Sequence, residues 1–311
     1  MSSAAPPQQP QKQLSSFGGF TAGAMAACIA VTVTNPIEIV KTRLQLQGEL
    51  HARGEVQKVY TGLFQALRVI LKNEGIRGWQ RGLGCAYFYQ VGLNGCRLGF
   101  YEPIRRATAS AINGSPEAST LGINVFAGAS SGIMGAIAGS PFFLVKTRMQ
   151  SYSPVFQVGT QTHYKSMWDG LASIYKAEGF SGLYRGCGSA VLRTGSGSSV
   201  QLPIYNSTKG VLDTYKVAEG TSQHLLASAV SGVGVCVVMN PWDVIMTRMY
   251  NQRGNLYKGV FDCFLKTVSI EGPLALYKGF FAHLMRIGPH TVLTLTFMEQ
   301  TRRLMMWVEG I

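Results

Sequence analysis

Charge is scarce in this chain. Of 311 residues only 14% are Asp, Glu, Lys or Arg, against about 25% in an ordinary soluble domain. Acids are the rarer sign, 15 against 28 bases, for a net charge of +13. Such a composition excludes a disordered chain, a coiled coil and an ordinary soluble enzyme, and it points to lipid. The basic excess suits nucleic acid, anionic lipid or an anionic solute. Cysteine pairs are missing too: Cys28, Cys85, Cys96, Cys187, Cys236 and Cys263 lie far apart, with no CxxC and no Cys/His cluster. That argues against a zinc site or a disulfide framework, and the six read as small apolar residues. No catalytic triad, P-loop or metal-ligand spacing supports an enzyme or a metal. Residues 1–14 lack the apolar run of a signal peptide and the Arg-rich pattern of a transit peptide, and read as a short disordered tail.

What the chain has instead is long apolar stretches. A spanning helix needs about 20 largely apolar residues. The stretches 13–37, 118–145 and 220–242 carry no charge at all. Those at 83–101, 187–208 and 281–298 each hold one arginine: Arg97, Arg193 and Arg286. Six spans result, with charge-free ones alternating with Arg-bearing ones.

The alternation follows from a threefold repeat. Pro36-Ile-Glu-Ile-Val-Lys-Thr-Arg43, Pro141-Phe-Phe-Leu-Val-Lys-Thr-Arg148 and Pro241-Trp-Asp-Val-Ile-Met-Thr-Arg248 are spaced by 105 and 100 residues. Each is followed by an acid-glycine pair (Glu74-Gly75, Glu178-Gly179, Glu271-Gly272) and a base-glycine pair (Arg81-Gly82, Arg185-Gly186, Lys278-Gly279). Each unit reads as a spanning helix, the proline motif near its end, a loop with a short amphipathic helix (near 62–73, 167–177 and 260–270), and a second spanning helix. The repeats cover 15–110, 118–216 and 220–308.

Within a helix the acid and base of the proline motif stand three residues apart and share a face. Threefold symmetry gathers three such faces into one ring, where buried charges need partners. The prolines should kink their helices, because each removes an intrahelical hydrogen bond. Intramembrane ionisable residues are costly and default to functional ones. Counting back 13 residues from Glu102, Asn206 and Glu299 reaches Tyr89, Arg193 and Arg286 at equal depth, and Arg97 lies eight residues further along its own helix. Arginines facing one cavity would bind an anion, because the planar guanidinium meets a carboxylate or sulfate in two parallel bonds. Gln90, Asn94, Thr194, Ser198 and Gln201 are polar neighbours. His290, four residues after Arg286 and on its face, is either an ordinary packed histidine or the carrier of a co-transported proton. Arg97 could instead snorkel to an interface.

The motif P-x-[D/E]-x-x-[K/R]-x-[K/R], then [D/E]-G and aromatic-[K/R]-G, recurs at about 100-residue period, except that Gln80 stands in the aromatic place of the first copy, with Trp79 one place earlier; the pattern resembles the mitochondrial carrier family over nearly the whole chain. The finer resemblance is to its oxaloacetate-carrying branch in fungi, on strings such as SPFFLVKTRMQSYS at 140–153 and NPWDVIMTRMYNQ at 240–252. The resemblance implies an all-α membrane protein, a pseudo-threefold barrel of six spans that carries small dianions (oxaloacetate, sulfate, malonate-like dicarboxylates) by alternating access. It implies a matrix-side gate in which Glu38 pairs with Lys146 and Asp243 with Lys41, braced by Gln45 and Gln150, with Tyr250 in the third brace position. Phe143 and Met246 replace both members of the third pair; they either touch each other or face lipid. It implies a cytoplasmic-side gate of Glu102 with Lys209, Glu299 with Arg105, and Asn206 with Arg302. The substrate residues are Tyr89, Gln90, Asn94, Arg97, Arg193, Thr194, Arg286 and His290, and cardiolipin binds near Gly82, Gly186 and Gly279. The family also implies the mitochondrial inner membrane, termini toward the intermembrane space, no cofactor beyond structural cardiolipin, a functional monomer and no nucleic-acid partner. A carrier of another carboxylate, or a proton-leak protein, shares the fold.

Overall fold

The computed structural model describes residues 15–52, 55, 58–116, 120–214 and 221–310, so the tail at 1–14 and the side chain of Ser198 lie outside the described residues. Every regular element among them is helical. Six are long: α1 (Ser16–Leu46), α3 (Leu83–Asn113), α4 (Leu121–Ser151), α6 (Cys187–Thr214), α7 (Thr221–Asn251) and α9 (Phe280–Val308). Three are short: α2 (Leu63–Trp79), α5 (Met167–Leu183) and α8 (Val260–Lys266), the last continued by a π turn at Thr267–Glu271 and a 3-10 turn at Pro273–Tyr277. The long helices close into a ring, each packed on the next in the order α1, α3, α4, α6, α7, α9 and back to α1. The two chain ends meet there: Ser15 donates its backbone N–H to Glu309 at 3.0 Å and caps α1 through its hydroxyl.

At about 1.5 Å per residue, helices of this length reach roughly 45 Å, beyond the ~30 Å of a hydrocarbon core. The helices α1, α4 and α7 are long and apolar enough to cross a membrane. They also run past the expected ends of their apolar stretches, through the proline motif to Leu46, Ser151 and Asn251. The motif's charges end the hydropathy signal without ending the helix, because they are buried against neighbouring repeats: Arg43, Arg148 and Arg248 are essentially inaccessible. Pro36, Pro141 and Pro241 lie inside these continuous helices. Non-helical backbone occurs at Gly75 and Gly179, inside α2 and α5, where φ is 64° and 68°. The acid-glycine pair is thus a left-handed break that turns the short helix back toward the barrel.

Each short helix packs one face onto the end of the long helix before it. Leu63, Ala66 and Ile70 meet Ile39, Val40 and Leu46, while Met167 and Ile174 meet Leu144 and Val145. Spacings of three and four residues supply that face. These contacts hold the proline motifs at one end of the barrel, called here the proline end.

Candidate functional site

The proline motifs converge as the shared-face argument requires. Lys146 Nζ lies 2.7 Å from Glu38 Oε1, and Lys41 Nζ lies 2.7 Å from Asp243 Oδ2, with all four side chains buried. Gln45 Nε2 donates to the same Asp243 oxygen at 2.8 Å, and Gln45 Oε1 accepts from Thr247 at 2.7 Å. Gln150 Nε2 donates to Asn35 Oδ1 at 3.0 Å, and the Tyr250 hydroxyl meets that of Ser140 at 2.8 Å.

In the third link, Met246 is 2% exposed and belongs to one apolar cluster with Tyr250, against which Phe143 packs. Phe143 also lies 4.9 Å from the Tyr89 ring and 5.2 Å from the Tyr250 ring. The alternative in which both residues face lipid is set aside by these contacts. Phe143, where an acid stands in the other repeats, offers its ring face to Lys146 Nζ at 5.2 Å.

Beneath this ring lies an outer layer that motif spacing alone did not assign. The arginine ending each motif binds the acid of the acid-glycine pair in its own repeat. Arg43 is bidentate on Glu74, Arg148 lies 3.3 Å from Glu178, and Arg248 binds Glu271 at 2.5 and 2.9 Å. The base of the base-glycine pair joins the same acid: Arg81 at 3.2 Å, Arg185 at 3.2 Å, Lys278 at 2.6 Å. These bases then donate to backbone carbonyls of another repeat: Arg81 to Tyr152, Arg185 to Gly254 and Lys278 to Gln47, at 2.7 to 2.8 Å. Burial alone would raise the carboxyl of Glu271, but Arg248 and Lys278 hold it below the ordinary carboxylate value. The signal was present in the equal spacing of these acids and bases; what was missing was knowledge that the loops fold back beneath the helices.

Above the ring opens a cavity of about 210 Å³. It is lined by Tyr89, Gln90, Asn94, Arg97, Arg193, Arg286 and His290, with the four ring charges as its floor. Thr194 is not among them. Its methyl group packs toward Gly132 of α4, where an added Cβ would come within 3.2 Å, so Thr194 is a helix-contact residue rather than a cavity residue. His290 lines the cavity with its ring nitrogens 3.5 Å from Thr34 Oγ1 and from Gln90 Nε2. Arg97 reaches the cavity wall and also a second recess nearer the terminal end, beside Tyr101 and Thr294.

The arginines are wired to the ring. Arg193 Nε donates to Asp243 Oδ1 at 2.6 Å, and Arg286 Nη1 stands 3.7 Å from Glu38 Oε1, while Arg286 Nε is buried with no hydrogen-bond partner. Each ring acid therefore shares one lysine of the ring and one arginine of the cavity. Five cations line the cavity against two acids, an excess of three positive charges. Such a pocket accepts a small polyanion and repels a cation.

At the terminal end the ion pairs of Glu102 and Glu299 among the described residues run along single helices. Glu102 binds Arg105 at 2.6 Å and Arg106 at 2.9 Å, three and four residues on, and Glu299 binds Arg303 at 2.6 Å. The expected Glu102–Lys209 and Glu299–Arg105 links are not among the ion pairs of these two acids, and Asn206 and Arg302 are both exposed with no hydrogen bond between them among the described residues. The physical reason is access. The side chain of Glu299 is 66% exposed, so solvent screening makes a nearby i,i+4 partner as good as a distant one. The proline end is closed by buried charge, whereas at the terminal end Glu102 is partly exposed and Glu299 exposed.

Gly82 and Gly279 cap α3 and α9 in left-handed conformation (φ 74° at both). An added Cβ at either would meet the brace glutamine and a backbone carbonyl of a neighbouring repeat, at 3.2 to 3.3 Å. Gly186, with φ 87°, holds the same position before α6, where Tyr250 passes.

A family model described as mitochondrial carrier protein matches residues 12–110, 117–216 and 218–309. The chain is 58% identical to the mitochondrial oxaloacetate transport protein of Saccharomyces cerevisiae, over 96% of this chain and 93% of that one. It is 59% identical to the mitochondrial citrate transporter E of Aspergillus niger, over 94% of each. It is 56% identical to the mitochondrial oxaloacetate transport protein of Schizosaccharomyces pombe, over 94% of this chain and 92% of that one.

Proposed function

This chain belongs to the mitochondrial carrier family, and from that premise we propose that it carries small dianions, oxaloacetate foremost, across the mitochondrial inner membrane by alternating access. It is a transporter and not an enzyme. The observation that carries the substrate reading is the sharing of ring acids between lysines and cavity arginines. A dianion entering from the open end offers carboxylates to Arg193 and Arg286 in competition with Asp243 and Glu38. As the arginines turn to the substrate, each acid keeps only its lysine, and the ring is weakened by what the substrate gains. Binding energy is thereby used to lower the barrier to opening. Arg97, two turns nearer the open end, is an approach site or grips the far end of the anion. Gln90, Asn94, Tyr89 and His290 supply hydrogen bonds.

In this reading the proline end faces the matrix, the terminal end faces the intermembrane space, and the conformation is the one open to the cytoplasmic side. Glu38, Lys41, Lys146 and Asp243 form the matrix gate. The residues of the aromatic-acid motif, Glu102, Arg105, Asn206, Lys209, Glu299 and Arg302, pair across helices only when that end closes. Cardiolipin phosphates bind at the base-glycine caps Gly82, Gly186 and Gly279, as helix N-termini favour. A groove lined by Lys58, Thr61, Lys278 and Gly279 supports that assignment for the third. The carrier works as a monomer, because one chain closes the ring of helices.

The charge excess also accommodates a tricarboxylate, which keeps citrate as a second reading beside the citrate-named relative. Uptake of labelled oxaloacetate, malonate, sulfate, citrate and ADP into cardiolipin-containing liposomes tests both. The expected result is dianion uptake that falls by two orders of magnitude in Arg193→Ala, roughly what losing a buried charge-assisted contact implies. Uptake of ADP, or citrate far above every dianion, would overturn the primary substrate assignment.

A further inference from the structure

The three braces do not end alike, and the difference isolates a histidine. Each brace residue stands nine positions after its proline and crosses the capping glycine of a neighbouring repeat: Gln150 over Gly82, Tyr250 over Gly186, Gln45 over Gly279. Two of them then bond the polar residue just before that neighbour's own proline, Gln150 to Asn35 and Tyr250 to Ser140. By the same symmetry Gln45 should bond Asn240. It bonds Asp243 instead.

Asn240 is occupied by His283, whose Nδ1 lies 3.3 Å from Asn240 Oδ1. The corresponding positions in the other repeats, four residues after the capping glycine, are Ala86 and Ala190. The hydrogen bonds fix the tautomer. Asn240 Nδ2 is committed to the carbonyl of Leu276 at 2.8 Å, so Asn240 presents its oxygen to the ring and His283 Nδ1 must donate. Nε2 is then a bare acceptor, and it is buried with no partner. The side chain is wholly inaccessible. A polar ring with an orphaned acceptor is a costly filler where alanine serves twice. Its cost is understandable if the Nδ1 donor has a task.

We propose that His283 is a positioning residue of the matrix-side ring: by satisfying Asn240 it diverts Gln45 onto Asp243, and so strengthens the link between repeats 3 and 1. Asp243 then carries three donors, Lys41, Gln45 and Arg193, where Glu38 carries only Lys146 and the more distant Arg286. His283 itself does not line the cavity. The proposal therefore rests on the gate reading above and not on the identity of the substrate.

The test is a double-mutant cycle on the full-length protein. In His283→Ala, Asn240 loses its donor and Gln45 falls back onto it, as Gln150 does on Asn35. The empty carrier, which must open its ring unaided, then opens more readily. Efflux of substrate from preloaded liposomes without counter-substrate is expected to rise about tenfold, the scale of one hydrogen bond to a charged group, with KM for exchange within about twofold because the cavity is untouched. In a Gln45→Ala background His283→Ala should add little, whereas in a Gln150→Ala background its effect should persist in full. His283→Asn, which keeps a donor in place of Nδ1 and removes Nε2, should behave as wild type. The thermal midpoint of the purified protein in detergent, read without any substrate, should follow the same pattern. It separates failure of this proposal from failure of the substrate assignment. Effects of His283→Ala and Gln45→Ala that simply add, or a His283→Asn variant as leaky as His283→Ala, would overturn it; both conclusions survive a poorly folding His283→Ala, because His283→Asn is tested in each background.

Discussion

The junction between repeats 3 and 1 and the junction between repeats 2 and 3 occupy equivalent positions and are built from opposite materials. At the first, Asp243 gathers Lys41, Gln45 and Arg193, and below it Glu271 gathers Arg248, Lys278 and the backbone N–H of Leu50 at 2.8 Å. Tyr257, whose counterparts Tyr60 and Tyr164 accept from the arginines of their own repeats, here donates across to Glu49 at 2.7 Å. At the second, Phe143, Met246 and Tyr250 form an apolar contact, and the acid below, Glu178, is held more loosely, by Arg148 at 3.3 Å and by Arg185 at 3.2 Å. On the proposed mechanism the polar junction would answer to a competing anion and the apolar one would not. A substrate that draws Arg193 away weakens Asp243 directly, but it has no charge to exchange with Phe143 or Met246. Under the proposed gating, the substrate would loosen two ionic links and leave one apolar contact intact, which would make the apolar junction the common pivot.

The largest test of this contrast removes the acid at the polar junction. Asp243→Asn leaves Lys41 and Arg193 buried without their counter-charge, and breaking a buried pair costs about 3–5 kcal/mol. Exchange in liposomes is expected to fall by at least two orders of magnitude, while Met246→Leu at the apolar junction changes it less than threefold, as volume-conserving apolar swaps do. Exchanging the charges, Lys41→Asp with Asp243→Lys, should recover a measurable part of the lost rate. No recovery above either single reversal would count against their pairing as the function of these residues.

The contrast can also be erased by giving the apolar junction the missing pair. Met246→Lys alone places an unpaired cation in a buried cluster and should lower the thermal midpoint by several degrees, on the scale of ~3 kcal/mol for an uncompensated buried charge. Adding Phe143→Asp supplies the partner that the other repeats have, and most of the lost midpoint should return. A ring with three ionic links has no apolar pivot, so unidirectional efflux should fall below wild type. Efflux equal to wild type in a well-folded double variant would show that the third link does not limit opening.

Much of this was legible in the residues because a threefold repeat states each position three times. An acid and a base three residues apart on one face imply a ring of pairs, the family resemblance says that Glu38 meets Lys146 and Asp243 meets Lys41, and the cavity arginines follow from charge inside an apolar run. The paired loss of acid and base at 143 and 246 was legible as an apolar substitution for the same reason. The rest depended on rotamers and on conformational state. No spacing reports that Arg193 turns down to Asp243, or that Thr194 turns toward Gly132. The cross-helix pairs at the terminal end rested on the family resemblance, and the ion pairs of Glu102 and Glu299 run to bases of their own helices. His283 was passed over because a single histidine in an apolar stretch reads as packing; only comparison with Ala86 and Ala190 marks it.

The smallest test lies in the outer layer, where acid pH should separate the junctions. Glu271 is held below the ordinary carboxylate value by Arg248 and Lys278 against the opposing effect of burial. A carboxyl depressed in the folded state contributes stability above its unfolded value near 4.3, and loses it as pH falls through the folded value. The thermal midpoint in detergent should therefore decline as pH falls from about 5 to the lowest value the protein tolerates. Glu271→Gln should lower the midpoint at neutral pH and flatten that decline, because no proton is left to bind there. Glu178→Gln, at the junction whose acid has the longer ion pairs, should cost less at neutral pH. Equal losses in the two variants would mean that the outer layer is uniform, and would leave the asymmetry between the junctions to the inner ring alone.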